Sequence, residues 1–384
     1  MSADVCVIVP TIRNPAVVRD YLENARRHDF PTDRLHVVLV TEADRDTAGM
    51  AAMLEDEGVA GTVVDGPARE AWLEAHGAGE YAHLIPAASH AQTSFGLLYL
   101  WASGFEYGVF IDDDTAPHPD TDFFGRHLQN LSHQGRVTVA RSEKRWVNVL
   151  YQRDGDLYPR GYPYTAMDAT VETRPGTVDS VVLSQGLWTN VPDLDAVRIL
   201  NDGDVTGQAA TRTTREDFGE PFVVDEGQYT TVSSMNVAFR REIVPAFYQL
   251  PMDDNPWGVG RFDDIWSGVI LKRVADQLGD AILTGPPLCE HNKAPRSTFD
   301  DLAAEAPGLE LNEHLWQVVD DVDLPADSYA AAYRAVATAL ESGAFQQWRN
   351  GAFLNHVGEY MQDWLACLEV LAPTAPPAVR EQTP

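Results

Sequence analysis

The sequence predicts an α/β protein: a mainly parallel sheet with helices on both faces, finished by a helical C-terminal region. Three observations carry that reading. Across residues 5–111, short apolar runs alternate with segments whose apolar residues recur every three or four positions, the order that builds a parallel sheet from βαβ units. From about residue 301 the strand-like runs stop and the helical period takes over. No apolar run approaches the roughly 18 residues of a membrane span, so the apolar residues belong to a globular core.

Residues 5–9 are the first buried strand, and Asn14 stands where it caps a helix with Pro15 at the first helical position. Val17, Val18, Tyr21, Leu22 and Ala25 share one face of that helix, and Arg26, Arg27 and His28 suit its C-terminal end. Strands follow at 35–40 and 61–64, with helices at 47–57, 67–76 and 91–103. Residues 107–111 then form the strand that ends in three carboxylates.

Beyond it the pattern loosens. Asp120 caps a helix to Leu131, and strands are expected at 137–140, 146–151, 180–183, 230–239 and 281–283. Residues 154–176 read as a long ordered loop, a kind of segment that usually carries function. Helices are expected at 242–248 and 263–278, and again at 329–340 and 353–371. The aromatics Trp348, Phe353, Tyr360 and Trp364 are expected to pack these last helices on the main body. The chain thus divides into a catalytic domain over 1–300, a helical extension over 301–371 and a Pro-rich tail over 372–384 expected to be disordered.

Charge narrows the function. Asp and Glu outnumber Lys and Arg by 58 to 28, and the only lysines are Lys144, Lys272 and Lys293. Such a chain repels a phosphate backbone, so nucleic acid is not an expected partner. The acidity is spread along the chain rather than gathered in a tail, as in a protein of a salt-in halophile. Cys6, Cys289 and Cys367 make neither a metal spacing nor a disulfide framework, and no signal segment is evident, so a cytoplasmic protein is expected.

The chemistry centres on Tyr107-Gly108-Val109-Phe110-Ile111-Asp112-Asp113-Asp114. Open α/β sheets bind ligands at the C-terminal ends of their strands. Adjacent carboxylates repel, and a hard divalent cation with its taste for oxygen relieves that. In an extended segment alternate residues share a side, so Asp112 and Asp114 can hold one ion while Asp113 faces elsewhere. The absence of GxGxxG and GxxxxGK[ST] removes the dinucleotide fingerprint and the P-loop.

Several segments together resemble the reversibly glycosylated polypeptides, the UDP-arabinopyranose mutase family. They are IVPTIRN at 8–14, IDDD at 111–114, RGYPY at 160–164, SQGLWTNVPDLDA at 184–196, SMNVAFRRE at 234–242, RFDDIWSG at 261–268 and HNKA at 291–294. The resemblance implies a GT-A-like nucleotide-sugar-binding fold, a metal-dependent interconversion of pyranose and furanose forms of a nucleotide-linked sugar such as UDP-arabinose, and Mn2+ or Mg2+ as cofactor. Taken with the acidic surface, it suggests a haloarchaeal member. Transfer of the sugar to a separate acceptor, or a non-catalytic nucleotide-sugar-binding subunit of a homo- or hetero-oligomer, are the alternatives.

The resemblance also implies roles. Asp112 and Asp114 would hold the metal with His291 as third ligand, and Lys293 and Arg13 would hold phosphate oxygens. Thr11, Glu42, Asp44, Asp113 and Asn236 fall in segments expected at the substrate. Asp263 and Asp264 either cap their helix or face the sugar as base or hydroxyl anchor, and Trp188 and Trp266 either stack on substrate or belong to the core. Arg160 matches the arginine that becomes glycosylated in the family; an electrostatic hold on the departing diphosphate is the simpler role. The chain departs from the family where Thr41-Glu42-Ala43-Asp44 replaces QDGD, where Ala88 and Thr93 replace a lysine and an arginine, and where Met167 replaces an arginine.

The acid excess generates a direct expectation. Molar KCl, with a Debye length of about 3 Å, should raise the thermal unfolding midpoint over that near 0.1 M, where repulsion reaches about 10 Å. A midpoint indifferent to salt would refute the halophile reading.

Overall fold

The computed structural model describes residues 3–372 apart from 14, 88, 154–155, 253–254 and 344. Asn14 as helix cap, Ala88, the start of the long loop at Asp154 and Gly155, and 373–384 of the expected tail therefore lie outside the described residues.

The N-terminal half is the expected alternation. Strands β1 (Val5–Pro10), β2 (Leu35–Val40), β3 (Ala60–Val64) and β4 (Tyr107–Ile111) are separated by helices α1 (Ala16–Arg27), α2 (Thr47–Asp56), α3 (Gly66–Ala75) and α4 (Ser94–Ser103). These four strands pair in parallel, in the order β3-β2-β1-β4. Side chains alternate across β1: Val5, Val7 and Val9 pack in one layer with α1, whereas Cys6 and Ile8 pack in the other, with Phe95, Leu97 and Leu98 of α4. Gly96 lets α4 lie close on β1, because a β-carbon there would come within 2.3 Å of Ile8.

After β4 come β5 (Thr115–Pro117), α5 (Phe123–Leu131), β6 (Gly135–Ser142), β7 (Val171–Val178), β8 (Val181–Gln185), β9 (Trp188–Asn190), α6 (Ala196–Asn201), β10 (Phe222–Val224), β11 (Asn236–Arg240), α7 (Asp263–Leu278), β12 (Ala281–Thr284) and β13 (Cys289–His291). The sheet continues from β4 as β11-β8-β12-β10-β6-β7, ten strands in all. Five of its nine neighbouring pairs among the described residues are parallel. The key antiparallel insertion is β11, between β4 and β8. A second sheet, β5-β13-β9, stands beyond the end of β4. Its strands pair Thr115 with His291 and His291 with Asn190, so it carries His291 back beside the Asp112 to Asp114 segment.

The structure corrects several expected elements. The strand at 146–151 is a turn with one bridge, Trp146 to Tyr229. Only Asn236–Arg240 of the expected 230–239 strand pairs as β11. The helix at 242–248 is a 3-10 turn over Arg241–Ala246 containing Pro245, which lacks the N–H that an α-helix would need there. Asp122, not Asp120, caps α5, accepting from the Gly125 N–H at 3.0 Å. Part of the long loop is β7, paired along its length with β6.

The largest element that the sequence reading passed over is α8 (Thr298–Asp320). With α9 (Tyr329–Glu341) and α10 (Ala352–Val370) it packs against α7 and the main body. Trp364 stacks on Tyr248 at 4.6 Å and donates to the Val244 carbonyl.

Under β4 lies a buried polar knot. Asn236 donates both amide hydrogens, to the Leu187 and Pro287 carbonyls, so its Oδ1 must accept from His127 Nε2 at 3.0 Å. The other ring nitrogen of His127 then accepts from the Ser184 hydroxyl at 2.9 Å, which fixes a neutral imidazole. Burial pushes this histidine down to about 4 from an ordinary 6.5, outweighing its bond to Asn236. A histidine depressed in the folded state favours folding fully above its unfolded pKa and loses that contribution as pH falls toward the folded one. Urea unfolding should therefore show about 2 kcal/mol lost between pH 7 and pH 5 from this residue. His127→Gln should lose correspondingly less over the same interval, and equal losses in the two proteins would count against the assignment.

Candidate active site

The ends of β4 and β11, the first turn of α7 and the 291–296 loop enclose a cavity of about 230 Å³. Asp112, Asp114, Arg160, Asp263, Asp264, His291 and Lys293 line it, all of them singled out from the sequence. His90, Asp193, Arg261 and Arg296 line it as well, and the sequence reading gave none of them a role.

The three carboxylates after β4 part company. Asp113 turns back to the loop after β1, where the Thr11 hydroxyl donates to it at 2.9 Å and Arg13 lies 3.6 Å away. Burial raises its carboxyl, and Thr11 and Arg13 temper the rise. Asp112 and Asp114 face the cavity. Asp114 is raised by burial and by its neighbour Asp112, with His291 opposing. These are anions short of a cation.

His291 is buried, its Nδ1 bonded to the Val191 carbonyl at 2.8 Å. A carbonyl only accepts, so Nδ1 carries a proton and Nε2 is turned toward Asp114, 3.7 Å from its Oδ1, where the neutral form of the ring would offer a lone pair. Among the described residues no three His, Cys, Asp or Glu side chains already converge as a metal cage. Two carboxylates on one side of a strand end and an oriented imidazole nevertheless fit a hard divalent ion that takes its remaining ligands from water and a substrate phosphate.

His90 bridges this group to α7. Its Nδ1 is 2.7 Å from Asp263 and its Nε2 is 3.7 Å from Asp112. Burial opposes charge on the ring, but the two carboxylates outweigh it and push the imidazole well above its ordinary range. Asp263 in turn is held down by His90 and Arg160 against the effect of burial. No motif marks His90; it sits on a 3-10 turn over His90–Thr93, and only the fold brings it to Asp263.

Arg160 is the most tightly held cation. Its Nε donates to Asp193 at 3.2 Å, and its two terminal nitrogens grip Asp264 at 3.1 Å each in a fork. One of them also donates to the Arg261 carbonyl. Burial works against the guanidinium, yet Asp193 and Asp264 push it well above its usual range. Asp264 has no oxygen to spare: it also accepts from the N–H groups of Ser234 and Ile265. Across the cavity, Lys293 is buried and among the described residues its ammonium has no hydrogen-bond partner. Burial lowers it to about 8, with Asp193 resisting.

Other expected substrate residues sit elsewhere. Trp266 is fully buried, stacked on Phe262 and donating to Asn312. Trp188 is buried among Leu187, Leu194 and Leu288, and Asn236 belongs to the His127 knot. These three support the site from behind, and packing on all sides keeps them from a ligand. Asp44 is exposed and paired with Arg45; with Ile12 and Arg13 it lines a separate groove of about 560 Å³. Glu42 is half-buried on the loop between β2 and α2. Arg69 ties that loop to the 3-10 turn bearing His90, donating to the Thr41 carbonyl at 2.7 Å and to Gln92 at 3.0 Å.

The cavity is thus acidic at the strand ends, with Arg160, Arg261, Lys293 and Arg296 also in its wall. Residues 77–373 match the family model described as "Reversibly glycosylated polypeptide", and the chain belongs to that family. It is 31% identical over 225 residues to "Probable UDP-arabinopyranose mutase 2" of Solanum tuberosum, covering 58% of this chain and 56% of that protein. It is 30% identical over 223 residues to "UDP-arabinopyranose mutase 3" of Arabidopsis thaliana, covering 57% and 56%. These alignments span little more than half of each relative's length, whereas a Zea mays relative, "Probable UDP-arabinopyranose mutase 1", aligns at 24% identity over 97% of this chain and 92% of its own. Among solved structures, the mannosyltransferase PcManGT from Pyrobaculum calidifontis with GDP-Man and Mn2+ is 15% identical, with a TM-score of 0.38, 95% of this chain covered and 87% of that one. At that score it bears on neither activity nor cofactor.

The ion lattice makes a stability prediction. Arg160→Met leaves Asp193 and Asp264 buried without their cation, which should cost about 3–5 kcal/mol in urea unfolding. Adding Asp264→Asn should return part of that loss. A single variant as stable as the parent would mean that the lattice is idle.

Proposed function

We propose that this chain is a mutase of GT-A-like fold that interconverts the pyranose and furanose forms of a nucleotide-linked pentose, with UDP-arabinose as the reading closest to its relatives and Mn2+ or Mg2+ as cofactor. The observation that carries the reading is the pairing within one cavity of two carboxylates, Asp112 and Asp114, that have only imidazoles at 3.7 Å for cations, with a buried ammonium on Lys293 that has no hydrogen-bond partner among the described residues. A cation and a diphosphate together would satisfy both halves.

Asp112, Asp114 and the Nε2 of His291 would hold the ion. When bound, it supplies charge neutralisation to the diphosphate as the bond to the anomeric carbon breaks. The electron pair of that bond leaves with the diphosphate. The pyranose ring opens, a different hydroxyl closes on the anomeric carbon, and the diphosphate oxygen bonds again. The proton released by the closing hydroxyl balances the one gained by the former ring oxygen, so no co-reactant is consumed. The diphosphate must stay bound throughout, and Lys293 and Arg160 are placed to hold it. Asp263, kept ionised between His90 and Arg160, is the acceptor we assign to a sugar hydroxyl.

Arg160 acts here as an electrostatic anchor. A guanidinium attacks carbon only after losing a proton, and the two carboxylates that grip it favour the protonated form. We therefore place Arg160 at the diphosphate and not on a covalent intermediate. Asp264, saturated by Arg160 and backbone N–H groups, positions that anchor. Thr11 and Arg13 support Asp113, and Arg13 with Asp44 lines the groove that we assign to the nucleotide. The three cysteines are free and buried, which suits a cytoplasmic protein.

The test is direct. Purified protein with UDP-arabinopyranose and Mn2+, and no acceptor, should yield a mixture of pyranose and furanose forms by chromatography. Chelator or Asp112→Asn should stop conversion. Arg160→Lys, which keeps the charge and loses the fork, should retain nucleotide-sugar binding and lose most turnover. Accumulation of UDP with free or transferred sugar would replace the mutase by a transferase.

A further inference from the structure

Helix α8 stands behind one residue of the cavity wall, Arg261. Its Glu305 is buried and accepts from Arg261 Nε at 2.7 Å, while its Asp301 lies 3.3 Å from Arg261 Nη1. The same Glu305 holds the first turn of α6 through the Ala196 N–H at 2.7 Å. Pro307 in mid-helix removes the N–H that would bond back along α8. Just before this break, the Ala304 carbonyl accepts from the Gly260 N–H at 2.9 Å. Gly308 lets the helix approach closely, since a β-carbon there would meet the Phe262 ring at 2.9 Å. The loop bearing Arg261 is thus stitched to α8 by backbone and side chain alike.

Arg261 itself is unusual. It adopts φ of 64°, a left-handed conformation that residues with a β-carbon seldom take. Such conformations persist where surroundings over-determine them, commonly at functional sites. Its carbonyl accepts from Arg160, its side chain lines the cavity, and it lies close enough to Lys293 to help lower that ammonium. Nε and Nη1 face α8; among the described residues nothing bonds Nη2. The fork is held from behind with one corner free, the arrangement of an anion-binding arginine.

We propose that Arg261 is a diphosphate-binding residue of this cavity and that Glu305 of α8 is its positioning residue, which makes the first of the three C-terminal helices a support of the active site. This deepens the mutase reading by naming a further contact to the substrate's diphosphate, and it rests on that reading for its physiological ligand.

Inorganic pyrophosphate with Mg2+ probes the contact without base or sugar, by calorimetry on the full chain. The parent should bind it. Arg261→Ala should weaken binding by about tenfold or more, the worth of a charged hydrogen bond, and Glu305→Gln should weaken it measurably. Arg145→Ala serves as control: it breaks a 2.7 Å ion pair to Asp320 at the far end of the same helix and should leave pyrophosphate affinity unchanged. If Arg261→Ala does not fold, Arg261→Lys, which keeps the charge but not the fork, and Glu305→Gln decide the matter. Parental affinity in these variants overturns the proposal, as does an equal loss in Arg145→Ala, which would mean that any loosening of α8 suffices. Absence of pyrophosphate binding in the parent overturns it too. Binding through Arg261 with no ring interconversion leaves this inference standing and removes the mutase.

Discussion

The constraint on which the rest of the structure depends is the crowding of carboxylates where β4 and α7 meet. Asp112, Asp114, Asp193, Asp263 and Asp264 line one cavity. Removing an ionised carboxylate from water without a partner is expensive, so each must find a cation or a set of N–H donors. Arg160 serves two of them, and His90 a third together with Asp112. The second sheet brings His291 to Asp114. Asp112 and Asp114 are matched most loosely, each 3.7 Å from an imidazole.

Much of this was legible in the sequence, for reasons that can be named. The parallel half of the sheet follows from simple periodicity, because β1, β2 and β4 are buried on both faces and read as apolar runs. The triplet after β4 announced itself by its position, and alternation assigned Asp113 to the other side. What was hidden depends on long-range pairing. His90 is 173 residues from Asp263, and Asp193 is 33 from Arg160; neither partnership leaves a local trace. Helix α8 has a proline and a glycine in its middle, which breaks the look of a continuous helix although docking on Phe262 and Val259 sustains it. Trp188, Trp266 and Asn236 show the opposite failure. A motif does not separate the residue that touches a ligand from the one that props it, and only burial does.

The loop after β2 and the segment before β4 depart from the family pattern. Where the family carries a lysine and an arginine before β4, this chain has Ala88 and Thr93. The buried cation in this neighbourhood is Arg69 of α3, reaching the Thr41 carbonyl and Gln92 from across the sheet end. It couples the altered loop after β2 to the turn that presents His90. A change in that loop is thereby connected through a few bonds to the carboxylates of the cavity.

The pairing of Arg261 with Glu305 bears on how this protein can vary over time. The partners lie 44 residues apart on separate elements; exchange of Arg261 alone would leave the buried Glu305 without its cation, whereas exchange of Glu305 alone leaves Arg261 with Asp301. A lineage that lost Arg261 first would pass through an intermediate poorer by about 3–5 kcal/mol, a large share of a domain's whole stability. The order of change therefore matters: the carboxylate of the helix can be exchanged before the arginine of the cavity wall at less cost than the reverse.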